Sequence, residues 1–144
     1  MSEKTETKID ITFPGGKKVN AEIEDFLIKT DQPVKEGGEG SAPAPFDFFL
    51  LSIGTCAGFY VLSFCQKRDI PTENLSLVQH ILYNLKDNGK KFLDTIVLEI
   101  IVPPDFPEKY HKALVKVADQ CSVKKKILNP PNFEVKTTVK TQEN

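Results

Sequence analysis

Short alternating stretches open this chain, one long uncharged run comes next, and alternation then returns. Lys8 to Phe13 (KIDITF) alternates apolar and polar residues, Pro14-Gly15-Gly16 supplies a turn, and Val19 to Ile23 alternates again. That is the signature of a β-hairpin. Asp25 to Thr30 reads as a third strand. Residues 31–45, DQPVKEGGEGSAPAP, form a glycine- and proline-rich loop, in which Gly37-Gly38-Glu39-Gly40 reads as a flexible entry to a helix. Pro45 suits the first turn of that helix, and Asp47 there lies favourably against the helix dipole. The helix should run to about Arg68, with Pro71 as its stop. Leu75 to Leu85 and Phe92 to Val102 are two more strands, joined at Asn88-Gly89. Pro107 to Ala118 places Tyr110, Leu114, Val117 and Ala118 on one helical face. A short helix then runs from Cys121 to Leu128, broken by Pro130-Pro131, and Phe133 to Val139 reads as a last strand. This order predicts an α+β fold, with antiparallel sheets packed around a long central helix. No linker divides residues 1–144, so a single domain is expected.

The run from Phe48 to Gln66 is long enough to span a bilayer. Ser52, Thr55, Ser63, Gln66 and two glycines dilute it, however, and the flanking strand patterns need a core to cover. A helix buried by sheets is the expectation, with no membrane association. At 144 residues and 40% apolar content, the chain can bury a sizeable core. A net charge of −1 gives no field that recruits nucleic acid. Three cysteines do not make a secreted disulfide framework, and residues 1–20 lack the apolar centre of a signal peptide. A cytoplasmic setting is therefore expected.

Candidate chemistry rests on Cys56 (SIGTCAGFY) and Cys121 (ADQCSVKKK), 65 residues apart. One thiol buried in an apolar helix and another at a helix start suggest a redox pair, because a helix N-terminus favours the reactive thiolate. The plain alternative is two packing residues, since free cysteine buries readily. Gly54 and Gly58 flank Cys56, and each costs about 1 kcal/mol relative to alanine within a helix. Close approach of another helix to the cysteine turn would offset that cost. Ser52, Ile53, Phe59 and Tyr60 surround Cys56 with mostly apolar surface. Cys65 is a poor partner for Cys56: nine residues of helix separate them by about 13 Å, whereas disulfide Cα atoms lie within about 7 Å. The same spacing separates Asp47 from Cys56. His80 and His111 have no second ligand at metal spacing, so no metal site is expected.

The run from Asp31 to Cys56, DQPVKEGGEGSAPAPFDFFLLSIGTC, together with DQCSVKKKIL, resembles the OsmC/Ohr family of osmotically inducible and organic hydroperoxide resistance proteins. Ser122 stands where the family's Cys-Pro-Val-x-Lys segment has proline. The resemblance covers essentially the whole chain. It implies an intertwined homodimer with sites at the subunit interface, and cofactor-free, thiol-dependent reduction of organic hydroperoxides. Cys56 matches the peroxide-attacking cysteine, Cys121 the resolving one, and Asp47 an acidic position that is often glutamate. Phe49, Ile53, Phe59 and Tyr60 would favour apolar peroxides, and an external dithiol would restore the thiols. The family's arginine near the N-terminal hairpin is missing, for Arg68, the lone arginine, is misplaced for that role. Lys17 or Lys18 is the substitute that the sequence offers, without arginine's bidentate fork. The rival expectation is a non-catalytic dimer on the same fold that binds a small apolar ligand or senses oxidation.

Overall fold

The computed structural model describes residues 4–141. Its strands are β1 (Ile9–Gly15), β2 (Lys18–Ile23), β3 (Phe26–Thr30), β4 (Ser76–Leu85) and β5 (Lys91–Ile101). Its helices are α1 (Pro45–Gln66), α2 (His111–Ala118) and α3 (Ser122–Leu128), with single 3-10 turns at Val34–Glu36 and Glu108–Tyr110. The α+β class and its element order agree with the sequence pattern up to α3. Backbone contacts divide the chain into two compact units, one ending at Ser52 and one beginning at Ile53.

In the first unit, β1, β2 and β3 form an antiparallel sheet in that order. Ile9 pairs with Ile23 and Gly15 with Lys18, so the first hairpin turns at Gly16-Lys17. Gly16 sits at φ +58°, a left-handed conformation that glycine adopts without a Cβ penalty. The stretch after β3 is pinned rather than flexible. Asp31 is fully buried, and its carboxylate accepts hydrogen bonds from the backbone N–H groups of Gln32, Glu39 and Ser41 and from the Ser41 hydroxyl, at 2.6–3.3 Å. These donors hold the Asp31 carboxyl down at about 2, the Ser41 hydroxyl contributing most. Gly38 completes the fold-back: a Cβ there would lie 2.0 Å from the Gln32 carbonyl oxygen. The sequence shows the turn formers, but not the single buried carboxylate that collects their N–H groups.

In the second unit, β4 and β5 form a long antiparallel hairpin. Its loop closes with Gly89 at φ +78°, donating to the Lys86 carbonyl. The core of this unit joins one face of α1 (Ala57, Val61, Phe64 and Cys65) to Leu114 and Ala118 of α2, to Phe106 and to Cys121. Leu77, Leu98, Ile100 and Val102 from the hairpin and Tyr110 and Val117 from the α2 face pack against it. The face predicted for residues 107–118 therefore does the burying. Arg68 serves this core, its guanidinium lying 3.7 Å from the Phe64 ring centroid and donating to the Phe64 carbonyl oxygen. Cys65 is fully buried, and desolvation pushes its thiol pKa up, as suits a packing residue.

Two expectations are corrected. Helix α1 is not enclosed all round: Phe46, Leu51, Phe59 and Leu62 are exposed, Phe59 by 62%. By length and composition alone α1 could cross a membrane, but its Ile53–Cys65 face is committed to the core of the second unit. The second correction is that Phe133 to Val139 forms no strand. A strand needs a ladder partner for its backbone groups, and among the described residues this segment has none alongside it; Phe133, Val135 and Val139 are left exposed.

Gly38→Ala is expected to destabilise the fold by about 1–3 kcal/mol, the cost typical of forcing extra atoms into a packed site, measurable by denaturant unfolding. The lowered Asp31 pKa sets a pH window. Its folded value of about 2 lies below the ordinary 3.8, so this stabilisation is complete above about pH 4 and lost as pH falls towards 2. The difference in thermal stability between the parent and Asp31→Asn should accordingly shrink across that window. A gap that stayed constant from pH 5 to pH 2 would contradict the assignment.

Candidate functional site

Helix α2 ends at Ala118, and the chain turns through Asp119 and Gln120, whose N–H groups bond back to Val115 and Val117. Cys121 then begins α3 as its N-cap. Its sulfur accepts the Lys124 N–H at 3.4 Å and donates to the Ile53 carbonyl oxygen of α1 at 3.7 Å. A cysteine here does what serine or aspartate usually does, filling an orphan donor of the first turn. The contact with Ile53 fixes the start of α3 against α1. Cys56 lies three residues beyond Ile53, on the adjoining turn.

The result is a cluster of three side chains. Cys56 Sγ lies 3.3 Å from Ser122 Oγ. The Ser122 hydroxyl, the Val123 N–H, the Cys121 thiol and the Ser122 N–H together draw the Cys56 pKa down from an ordinary 9.0 to about 7, against a smaller opposing effect of desolvation. Near neutrality, then, a large fraction of Cys56 is thiolate. All three cysteines are free thiols.

The roles expected from sequence are partly exchanged. Cys56, read as the buried thiol, is half-buried, while Cys121, read as the thiol served by a helix start, is 1% exposed. The first turn of α3 divides its donors: the Lys124 N–H goes to Cys121, and the Ser122 hydroxyl with the Ser122 and Val123 N–H groups serves Cys56. Ser122 is the residue that sequence reasoning undervalued. The available signal was its place immediately after the second cysteine, where proline would have no N–H to offer.

Asp47 is a helix cap. Its Oδ2 accepts the Ala44 N–H at 2.9 Å, and the Asp47 N–H returns a bond to the Ala44 carbonyl. This reciprocal pair starts α1. Lys18 forms an ion pair with Glu39 at 2.8 Å, which raises its pKa, and Lys17 sits at the tip of the first hairpin. Phe49 packs against Phe46 with the rings tilted by 33° and their centroids 5.3 Å apart. Phe59 and Tyr60 meet edge to face at 5.8 Å. Gly54 is approached by a strand rather than a helix: a Cβ there would meet Gln79 Oε1 of β4 at 2.2 Å, whereas nothing lies within 4 Å of Gly58. Among the described residues, no group of three His, Cys, Asp or Glu side chains could hold a metal.

An apolar cavity of about 530 Å³ lies between β5 and the two short helices. Ile96, Leu98 and Ile100 form one wall, and Leu114, Ala118 and Ile127 another. Ile53 and Cys121 also line it; Cys56, Phe59 and Tyr60 do not. Its volume is within the range of small-molecule sites. His111, stacked on Phe106, and the Lys124–Asp119 ion pair supply its polar groups.

No curated protein is similar in sequence. Solved structures share the fold at low identity. A protein of Psychrobacter arcticus 273-4, named for osmotic stress induction and a detoxification response, superposes with a TM-score of 0.70 at 19% identity, over 87% of this chain and 90% of its own. An organic hydroperoxide resistance protein OsmC from Legionella pneumophila gives 0.59 at 19% identity, over 88% and 91%. An OsmC-like protein of unknown function from Vibrio cholerae gives 0.62 at 13% identity, over 83% and 92%. The family model described as OsmC-like protein matches residues 38–136, a span that holds the Gly38 fold-back, the Asp47 cap, Cys56 and the Cys121-Ser122 turn, and the chain thus belongs to the OsmC-like family.

Proposed function

We propose that the chain is a cytoplasmic thiol peroxidase that reduces organic hydroperoxides. The observation that carries this reading is the placement of Cys56 Sγ 3.3 Å from Ser122 Oγ at the start of α3, where these donors draw the thiol pKa down to about 7, beside a second free thiol, Cys121. The Cys56 thiolate attacks the distal peroxide oxygen, and the O–O bond breaks. The alcohol leaves with a proton, and Cys56 becomes sulfenic acid. The Cys121 sulfur then displaces hydroxide, which departs as water, giving a Cys56–Cys121 disulfide. An external dithiol returns both thiols. Ser122 and the first N–H groups of α3 support the attacking thiolate. Asp47 orders the start of the cysteine-bearing helix. Ile53, which lies beside the Cys121 sulfur, and Phe59 and Tyr60, three and four residues beyond Cys56 on α1, would give the site an apolar character that suits organic peroxides. A homodimer completes the reading, because it would cover the exposed face of α1 and give the unpaired Phe133–Val139 segment a partner. The exposed apolar surface is otherwise hard to reconcile with a monomer.

The second reading, a stoichiometric oxidation sensor or ligand carrier, is favoured by the apolar cavity. Steady-state peroxide consumption with a dithiol separates the two. Turnover supports the peroxidase, and a single oxidation that does not recycle supports the sensor.

Alkylation of Cys56 followed against pH should show a midpoint near 7. Ser122→Ala should raise it, and Lys17→Ala and Lys18→Ala should move it less. One equivalent of organic peroxide should join Cys56 to Cys121. Cys56→Ser should abolish the reaction, and Cys121→Ser should trap the sulfenic acid. Mass mapping that found Cys65 in the disulfide would overturn the pairing. Light scattering should give twice the 16.1 kDa chain mass at micromolar concentration.

A further inference from the structure

Among the described residues, four groups donate to Cys56 Sγ: the Ser122 hydroxyl, the Ser122 and Val123 N–H groups and the Cys121 thiol. None carries a charge, and they differ in freedom. The two N–H groups are fixed in the first turn of α3, and the Cys121 thiol is shared with the Ile53 carbonyl oxygen. Of the four, the hydroxyl turns freely about its Cβ–Oγ bond and can redirect its proton. It belongs to a solvent-exposed residue, and its oxygen lies 3.3 Å from the sulfur. Reacting atoms meet at about 3–3.5 Å, so a peroxide that approaches the sulfur past Ser122 comes within reach of both Sγ and Oγ. Peroxide reduction also moves charge. The negative charge starts on sulfur and passes to the proximal oxygen as the O–O bond breaks. A donor fixed on the thiolate stabilises the starting state, whereas a donor that follows the charge is stronger in the transition state and accelerates the step.

We propose that Ser122 is a catalytic residue of the peroxide step, its hydroxyl swinging from Cys56 to the proximal peroxide oxygen and protonating the leaving alkoxide. The proposal rests on the peroxidase reading above and names the group that delivers the alcohol's proton. Cys56 Sγ bonds to the distal oxygen, which keeps its own hydrogen, so Cys56 ends as sulfenic acid. The O–O bond breaks and its electron pair goes to the proximal oxygen; sulfur is oxidised by two electrons and the peroxide is reduced by two. The Ser122 proton passes to the proximal oxygen, the alcohol departs, and the serine oxygen takes a proton from solvent, to which the residue is open. Demand on the hydroxyl is greatest for alkyl hydroperoxides, whose alkoxide is strongly basic. It is least for a peroxy acid, whose carboxylate departs without a proton.

Ser122→Ala removes the hydroxyl and keeps the N–H, which makes it the informative variant. Single-turnover reaction of Cys56 is followed near neutral pH with tert-butyl hydroperoxide, with peracetic acid and with the alkylating agent iodoacetamide. Each rate is divided by the thiolate fraction taken from the alkylation titration, so that a shifted thiol pKa drops out. Per thiolate, tert-butyl hydroperoxide should react about tenfold more slowly with Ser122→Ala. That is less than the ~10²–10³-fold lost with an enclosed oxyanion donor, because water partly replaces an exposed hydroxyl. Peracetic acid and iodoacetamide should react at the parent rate or faster, since a thiolate that loses a donor is more basic and more nucleophilic. Ser122→Thr, which keeps a hydroxyl, should restore the tert-butyl hydroperoxide rate. A Ser122 that only steadied the thiolate would leave all three corrected rates level or raised, and that result overturns the proposal. Equal slowing with both peroxides overturns it too. In either case a parent that still reduces both peroxides leaves the peroxidase reading standing. If the parent alkylates readily but reduces neither peroxide faster than a free thiol does, the peroxidase reading falls and the role of Ser122 falls with it.

Discussion

The meeting of α1 with the first turn of α3 is the contact on which the chemistry depends. A helix start leaves backbone N–H groups without intrahelical partners, and here they are distributed between two sulfurs. Lys124 donates to Cys121, and Ser122 and Val123 donate to Cys56. Cys121 in turn donates to the Ile53 carbonyl, which anchors the arrangement to α1. In the proposed cycle, one buried thiol therefore acts as both a structural cap and a redox partner.

Behind this contact is the core of the second unit. Phe64, Leu114, Phe106 and Ala118 set the position of α2, and the short Asp119-Gln120 turn then leaves little freedom in where α3 begins. Burying a large apolar side chain of this kind contributes about 1.5–3 kcal/mol each. That is enough to hold a turn whose own hydrogen bonds are each modest. Arg68 adds a guanidinium stacked on Phe64 and Tyr110, a use of charge that serves packing and leaves the reactive sulfur to neutral donors. The lack of an arginine at the hairpin is thus offset, in the proposed mechanism, by a hydroxyl and by backbone N–H groups.

The first unit shows the same logic around a different group. Asp31 gathers the loop that leads into α1, and Asp47 then caps that helix. Both carboxylates direct their lone pairs at backbone N–H groups. The apolar surface left on α1, with the exposed residues Phe133, Val135 and Val139, is the part of the molecule whose geometry a lone chain does not complete. The proposed dimer answers to that surface.

The α+β order, the span of α1, the β4–β5 hairpin and the α2 face were legible in sequence, because each depends on a local period or a local turn former. Cys56 and Cys121 stood out as candidate thiols, and their pairing was only what the family resemblance implied; Cys65 was legible as a core residue, because helical rise is fixed by geometry and keeps it far from Cys56. Three things were not. The exchange of burial between Cys56 and Cys121 depends on which element covers each sulfur, and that is set 65 residues away in sequence. The Asp31 knot hid behind glycines and prolines that look the same in mobile and pinned loops, and only convergence of distant N–H groups tells them apart. The Phe133–Val139 segment carries a strand's alternation, yet a strand requires a neighbouring ladder, which alternation cannot supply. Sequence alone determined the periods and the reactive residue types. Tertiary structure decided which donors reach which sulfur, because hydrogen bonds act over about 3 Å and connect groups that the chain itself holds far apart.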